Sequence, residues 1–248
     1  MKRLLLYALL IPLLVRCEVE TPTGVEVEVM NPITPVKYQG DSQLCWAYSM
    51  LAAIETEQFR KGDSIDLPIE PVVEALARTH NAPPSGRAMG PTFLNLAREQ
   101  GIYSEVCNPD DYIALCTTRK FPYGEWVVLE LPDNWEGNKF LNLKPDSLLS
   151  VVQNAVRSHR GICWEGDVSE RGFSFEKGVA KMRFPNGRTS DDHCMAIVGI
   201  VHDETHRPYF VMKNSWGPYN PYGGLMLMSF DYFKKKTVAV VLPKEVVQ

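Results

Sequence analysis

An excess of positive charge is missing from this chain. Twenty-six Lys and Arg stand against thirty Asp and Glu, a formal net charge of −4. That excludes the broad basic surface that nucleic acid or an anionic lipid face would select. No heptad run, internal repeat or long low-complexity tract is present, so coiled-coil and solenoid architectures drop out. Histidine is scarce, with five in all. His202 and His206 have the i, i+4 spacing of a helical metal pair, but they sit in a polar stretch between two strand-like runs. A hairpin loop is expected there, and neither a metal nor a cofactor is expected anywhere. His80 and His159 read as surface residues, and Lys234-Lys235-Lys236 as a solvated charge run. What the chain does have is apolar content: 45% of 248 residues is enough for one or two buried cores.

The N-terminus reads as a targeting segment. Lys2-Arg3 precede an apolar run from Leu4 to Val15, broken by Pro12. That is a basic leader and a hydrophobic stretch too short for an ordinary spanning helix. Cys17 follows at once and invites a lipid-attachment reading, which would anchor the chain to a membrane. Arg16, where a small residue is expected, counts against it, and both readings stay open. The expected location is exported: periplasmic, anchored as a lipoprotein, or secreted. An oxidising compartment permits disulfides. Besides Cys17 and Cys45 the cysteines are Cys107, Cys116, Cys163 and Cys194. A Cys107–Cys116 bridge and four reduced thiols are the two alternatives.

The chemistry concentrates in three separated segments. Gln39-Gly40-Asp41-Ser42-Gln43-Leu44 leads into Cys45-Trp46-Ala47-Tyr48-Ser49, where an amphipathic helix begins. Far downstream come Asp192-His193, then Asn214-Ser215-Trp216-Gly217. A thiolate is the competent nucleophile, and a helix start favours it through unpaired N–H groups and partial positive charge. An imidazole that takes the thiol proton lowers the thiol pKa further and later protonates a leaving amine. An Asn carbonyl that accepts from the other ring nitrogen fixes the ring. A donor facing the developing oxyanion is worth roughly 3 kcal/mol of barrier. The Gln39 amide and the Cys45 backbone N–H are the candidates.

These segments resemble those of papain-like cysteine peptidases. Thr34-Pro35-Val36-Lys37-Tyr38-Gln39-Gly40 through Ser49 is similar to the nucleophile segment of that family. Asp192-His193-Cys194-Met195-Ala196-Ile197-Val198-Gly199 resembles its histidine strand, and Lys213-Asn214-Ser215-Trp216-Gly217 with Gly223-Gly224 its asparagine segment. The resemblance implies catalytic Cys45, His193 and Asn214, with Gln39 in the oxyanion hole. It also implies supporting roles for Trp216, which would cover the Asn–His hydrogen bond, and for Asp192. Ser42, three residues before Cys45, and Ile162-Cys163-Trp164-Glu165-Gly166-Asp167-Val168 bring the chain nearest the bleomycin hydrolase and bacterial aminopeptidase C group. Ser85-Gly86-Arg87-Ala88-Met89-Gly90 stands where the family has a substrate-binding loop but lacks its adjacent Gly-Gly. Gly86 is therefore a candidate substrate contact, as is Cys194 beside the base. The partner implied is a peptide or protein substrate, with endo- or aminopeptidase action and oligomeric state undecided.

The organisation agrees with an α+β, papain-like two-lobed fold. After the leader at 1–17, residues 18–33 read as an extended arm, shorter than the inhibitory propeptide of many relatives. Residues 34–248 form the peptidase domain, with a helical lobe at about 34–124 and an antiparallel β-rich lobe at about 125–248. Helical spacing predicts helices from Cys45 to Lys61, over 70–80 and over 91–100. Strand-like runs fall at 126–131, 195–201, 208–213, 225–230 and 237–242, with a helix near 146–158. Two other readings stay open. One is a Cys-His amidase or acyltransferase of another fold. The other is a non-catalytic binding protein on a peptidase scaffold.

Overall fold

Helix α1, Cys45–Arg60, contains neither Gly nor Pro and stops at a Schellman turn. Gly62, at φ +92°, donates its N–H to Phe59 O at 3.0 Å, and Asp63 donates to Gln58 O at 2.9 Å. Glycine reaches that backbone region without a Cβ penalty. These contacts belong to a computed structural model, which describes residues 22, 24–78, 93, 125–131, 141–142, 144–182 and 189–247. The leader with Cys17, the loop with Gly86, and His80, Cys107 and Cys116 lie outside the described residues. So does the helix expected over 91–100, apart from Phe93.

The second half is dominated by one sheet. Its strands are β1 Glu26–Met30, β2 Trp126–Glu130, β3 Leu141–Asn142, β4 Ile162–Gly166, β5 Phe173–Ser174, β6 Val179–Ala180, β7 His193–His202, β8 Pro208–Lys213, β9 Leu225–Ser229 and β10 Thr237–Pro243. They run in the order β3-β2-β10-β4-β7-β8-β9-β6-β5, with β1 also paired to β7. Pairing is antiparallel except for β2–β3 and β6–β9. The described residues also hold helices α2 Glu70–Arg78, α3 Pro145–Arg157 and α4 Phe230–Lys236 and a 3-10 turn at Lys244–Val246. Ser229 caps α4 by accepting the Tyr232 N–H at 3.2 Å.

Two faces of the sheet are covered. Met50, Leu51 and Ile54 of α1 pack with Val128, Cys163, Cys194 and Val241. Leu148, Val152, Ala155 and Val156 of α3, spaced along one helical stripe, pack with Ile162, Trp164, Met195 and Ile197. The helix α1 is thus embedded rather than laid on the surface. Gly161 shows how closely: a Cβ there would lie 1.9 Å from the Ala53 carbonyl oxygen. The buried carboxylates of α1 are satisfied. Glu55 accepts from Thr34 Oγ1 at 2.7 Å and lies 3.4 Å from Lys213 Nζ. Glu57 accepts from Arg160 Nε at 2.8 Å and from the Gly161 N–H at 2.8 Å.

Several expectations change. The arm at 18–33 contains β1, antiparallel to the second half of β7. Phe230, expected at the end of a strand, opens α4. The lysine run is not wholly solvated. Lys236 is 2% exposed, with its amine 3.0 Å from both Asp167 Oδ2 and Glu170 Oε2. The chain passes there from α4 into β10, which carries that side chain inward. His206 takes the left-handed turn between β7 and β8, at φ +58°, as a hairpin loop requires. His159 is exposed and bonds Asn31 Oδ1 through Nδ1 at 2.7 Å.

Candidate active site

Three pieces of backbone converge on one point. Cys45 is the first residue of α1, His193 the first of β7, and Asn214 directly follows β8. No side chain caps α1 at Leu44. The Leu44 carbonyl accepts from Ala47 at 2.9 Å and Tyr48 at 3.1 Å, so the half-buried Cys45 sits at the electropositive end of the helix. Antiparallel pairing of β7 with β8 sets Ala196 opposite Lys213, which brings the start of one strand beside the end of the other.

His193 and Asn214 are 4% and 3% exposed. His193 Nε2 lies 2.8 Å from Asn214 Oδ1, and the same oxygen accepts the Ser215 N–H at 2.8 Å. With Nε2 so engaged as donor, Nδ1 is the ring nitrogen left to serve the thiol. The Cys45 thiol is held down to about 4. The largest cause is a hydrogen bond from Cys194, followed, after an opposing effect of burial, by the hydrogen bond and charge of His193. Cys194 is pushed the other way, well above an ordinary thiol, by its hydrogen bonds with Cys163 and Cys45, by burial and by the Glu165 charge. One ionised sulfur rests on a protonated one. Cys163 is fully buried, 0% exposed, and accepts a hydrogen bond from Ser49 Oγ at 3.1 Å.

Trp216 covers the histidine, with ring centroids 4.5 Å apart. Phe173 and Phe175 pack edge-on against the same indole at 5.8 and 5.4 Å. Gln39 is fixed from both ends of its amide. Its Nε2 donates to Ser42 O at 2.8 Å, and its Oε1 accepts from Ser215 Oγ at 2.6 Å. Its backbone N–H also donates to Ser215 O at 2.8 Å.

The structure therefore brings together Cys45, His193, Asn214, Trp216 and Gln39. Asp192 is elsewhere: it is exposed and accepts from the Val168 N–H and from Ser190 Oγ, each at 2.8 Å. Its role is to pin the entry of β7. Cys194 is 5% exposed and lines a pocket with Lys37, Tyr48, Glu55 and Lys213. It lies under the nucleophile rather than on an open wall. Sequence reasoning missed Ser215 as the partner of Gln39, although it lies inside the recognised motif. It also missed Phe173 and Phe175, which flank Ser174 at the end of β5 and meet the same indole.

Comparison with known proteins places this geometry. The chain is 28% identical over 207 residues to the oryzain beta chain of Oryza sativa subsp. japonica, covering 80% of this chain and 40% of the relative. It is 29% identical over 205 residues to procathepsin L of Felis catus, covering 80% and 58%. The chain thus spans about half the length of these curated relatives. In fold it is similar to the bromelain protease from Ananas comosus in complex with the E64 inhibitor. That match has a TM-score of 0.60 at 21% identity and covers 85% of this chain and 93% of that one. It is also similar to PepW from Lactobacillus rhamnosis HN001, with a TM-score of 0.64 at 11% identity, covering 90% and 82%. The description "Papain family cysteine protease" matches residues 21–235, a range that contains Gln39, Cys45, His193 and Asn214. This chain belongs to the papain family of cysteine proteases.

Proposed function

We propose that the protein hydrolyses peptide bonds through a Cys45–His193–Asn214 triad. The observation that carries this reading is the pairing around one ring. His193 Nε2 is anchored to Asn214 Oδ1 at 2.8 Å, while the same residue hydrogen-bonds the ionised Cys45. The Cys45 sulfur attacks the scissile carbonyl carbon, and the carbonyl electron pair moves to oxygen. The second N–H of the Gln39 amide and the Cys45 backbone N–H receive that charge. Collapse expels the amine, which takes its proton from His193 and leaves a thioester on Cys45. Water, deprotonated by His193, attacks the thioester, releasing the acid and restoring the ion pair. Trp216 keeps bulk water from competing for the Asn214–His193 bond.

The substrate is a peptide or protein, bound where Cys45 at the start of α1 meets His193 at the start of β7. Residues 34–248 act as the peptidase domain, and residues 1–17 direct export. Ser42 and the run from Ile162 to Val168 favour descent shared with the bleomycin hydrolase group, with the mode of cleavage left to measurement. The deciding experiment is labelling by a peptidyl epoxide. Wild type is labelled on Cys45, and Cys45→Ala is neither labelled nor active. A Cys45→Ala protein that still cuts peptides overturns the triad. Product analysis on a mixed peptide library then separates single residues shed from amino ends from internal cuts.

A further inference from the structure

Beneath the nucleophile lies a set of donors of which only Cys194 touches the reacting sulfur, as its hydrogen-bond partner. Cys163 Sγ, a Glu165 carboxylate oxygen and Cys194 Sγ all fall within 4.8 Å of one another, and none of the three residues is more than 5% exposed. The sheet arranges them. Glu165 of β4 pairs directly with Cys194 of β7, and Cys163, two residues before Glu165, shares its face of the strand. Three side chains of metal-ligating type thus point to one place from a hydrogen-bonded two-strand ribbon. Cys45 hydrogen-bonds Cys194, although its sulfur lies outside the 4.8 Å group.

We propose that Cys163, Glu165 and Cys194, with Cys45 as fourth donor, bind a zinc-class divalent cation that withdraws the nucleophile. Two or three sulfurs and one oxygen are the donors such an ion prefers in tetrahedral geometry. Sulfurs about 2.3 Å from a tetrahedral metal are about 3.8 Å apart, so Cys163, Glu165 and Cys194 close by no more than about 1 Å, and Cys45 joins them by moving in from its contact with Cys194. Binding releases the thiol protons of Cys163 and Cys194 to solvent, and each sulfur donates its freed pair to the cation. No electron transfer is involved. The ion enters from the groove past half-buried Cys45. A metal-held Cys45 has no free pair for a carbonyl, so occupancy and hydrolysis exclude each other.

The test uses the full chain and two probes. Co2+ titration reads the site without any need for peptidase activity. A sulfur-to-cobalt charge-transfer band is expected in wild type and, weaker, in Cys45→Ala, which keeps two of the thiols. Zn2+ is expected to block epoxide labelling of wild type, reversibly with EDTA. Cys163→Ala and Glu165→Gln should each raise the Zn2+ concentration for half-blockage by more than about tenfold. Cys163→Ser serves if the alanine variant fails to fold, and labelling in EDTA confirms that each variant's groove is intact. Half-blockage at the same Zn2+ concentration in wild type and variants would place the ion on Cys45 and His193 alone and overturn the proposal. Absence of the band in Cys45→Ala would do the same.

Discussion

Ser215 donates its hydroxyl proton to Gln39 Oε1 across 2.6 Å. The residue after Asn214 therefore holds the amide that we propose faces the oxyanion, so two parts of the proposed reaction share one short piece of chain. Ser215→Ala leaves the Gln39 side-chain amide anchored only through its Nε2 bond to Ser42 O, with the backbone bond to Ser215 O kept. We expect kcat to fall by about tenfold with KM little changed. Gln39→Ala should cost about 10²–10³ in kcat, the scale of a lost oxyanion donor. Steady-state kinetics on one peptide substrate checks both, and an unchanged kcat in Gln39→Ala removes that residue from the oxyanion site.

Asn214 acts through the ring it holds. Asn214→Ala frees His193 Nε2 from its 2.8 Å partner, and the imidazole can then turn away from Cys45. The expected loss in kcat is roughly 10²–10⁴-fold, the range a positioned acid–base supplies. Titration of the reactive thiol should show Cys45 moving up toward an ordinary thiol value in the same variant. A purely structural role would lower stability and leave that thiol value where it is.

Acid should spare the nucleophile. Cys45 is held at about 4 against an ordinary value near 9, so its thiolate population is nearly constant between those limits. In chelator-treated protein, alkylation by iodoacetamide should hold its rate as pH drops and decline tenfold per unit only below about pH 4. The linkage has the sign of a depressed group. Its stabilising contribution is complete above the unfolded thiol value and is lost as pH falls through the folded one. A rate that declines from pH 8 downward contradicts the ion pair.

Lys236 lies between Asp167 and Glu170 at 3.0 Å from each, all three nearly out of water. Lys236→Met strands two carboxylates in the interior. About 3–5 kcal/mol of stability should be lost, read by urea unfolding at neutral pH. Asp167 lies below its usual range: hydrogen bonds from Ser169 and Lys236 outweigh the opposing effect of burial. This cluster's support is therefore present at neutral pH and fades as pH falls through the folded Asp167 value.

Much of the architecture is legible in the residues alone, for physical reasons that differ by element. Helix α1 shows because sixteen residues run without a breaker and end at Gly62. Strands β7 to β10 show because continuous apolar runs are bounded by turn residues. The two-residue strands β3, β5 and β6 are too short to carry a period, and α4 hides because Phe230 continues an apolar strand pattern. The positions of Cys45, His193 and Asn214 are legible because each sits in its own motif. The packing of Cys163, Glu165 and Cys194 is not, since it exists only through the pairing of Glu165 with Cys194, and strand register is a long-range property. Asp192 misleads because adjacency in sequence puts alternate strand residues on opposite faces.

The sulfur of Cys45 owes its acidity to Cys194 and His193, which the ribosome adds only after more than half of the remaining polymer has emerged. A nascent chain therefore carries an ordinary, sluggish thiol. The depressed thiol, and with it the proposed peptidase activity, is present only once β7 has docked beneath α1.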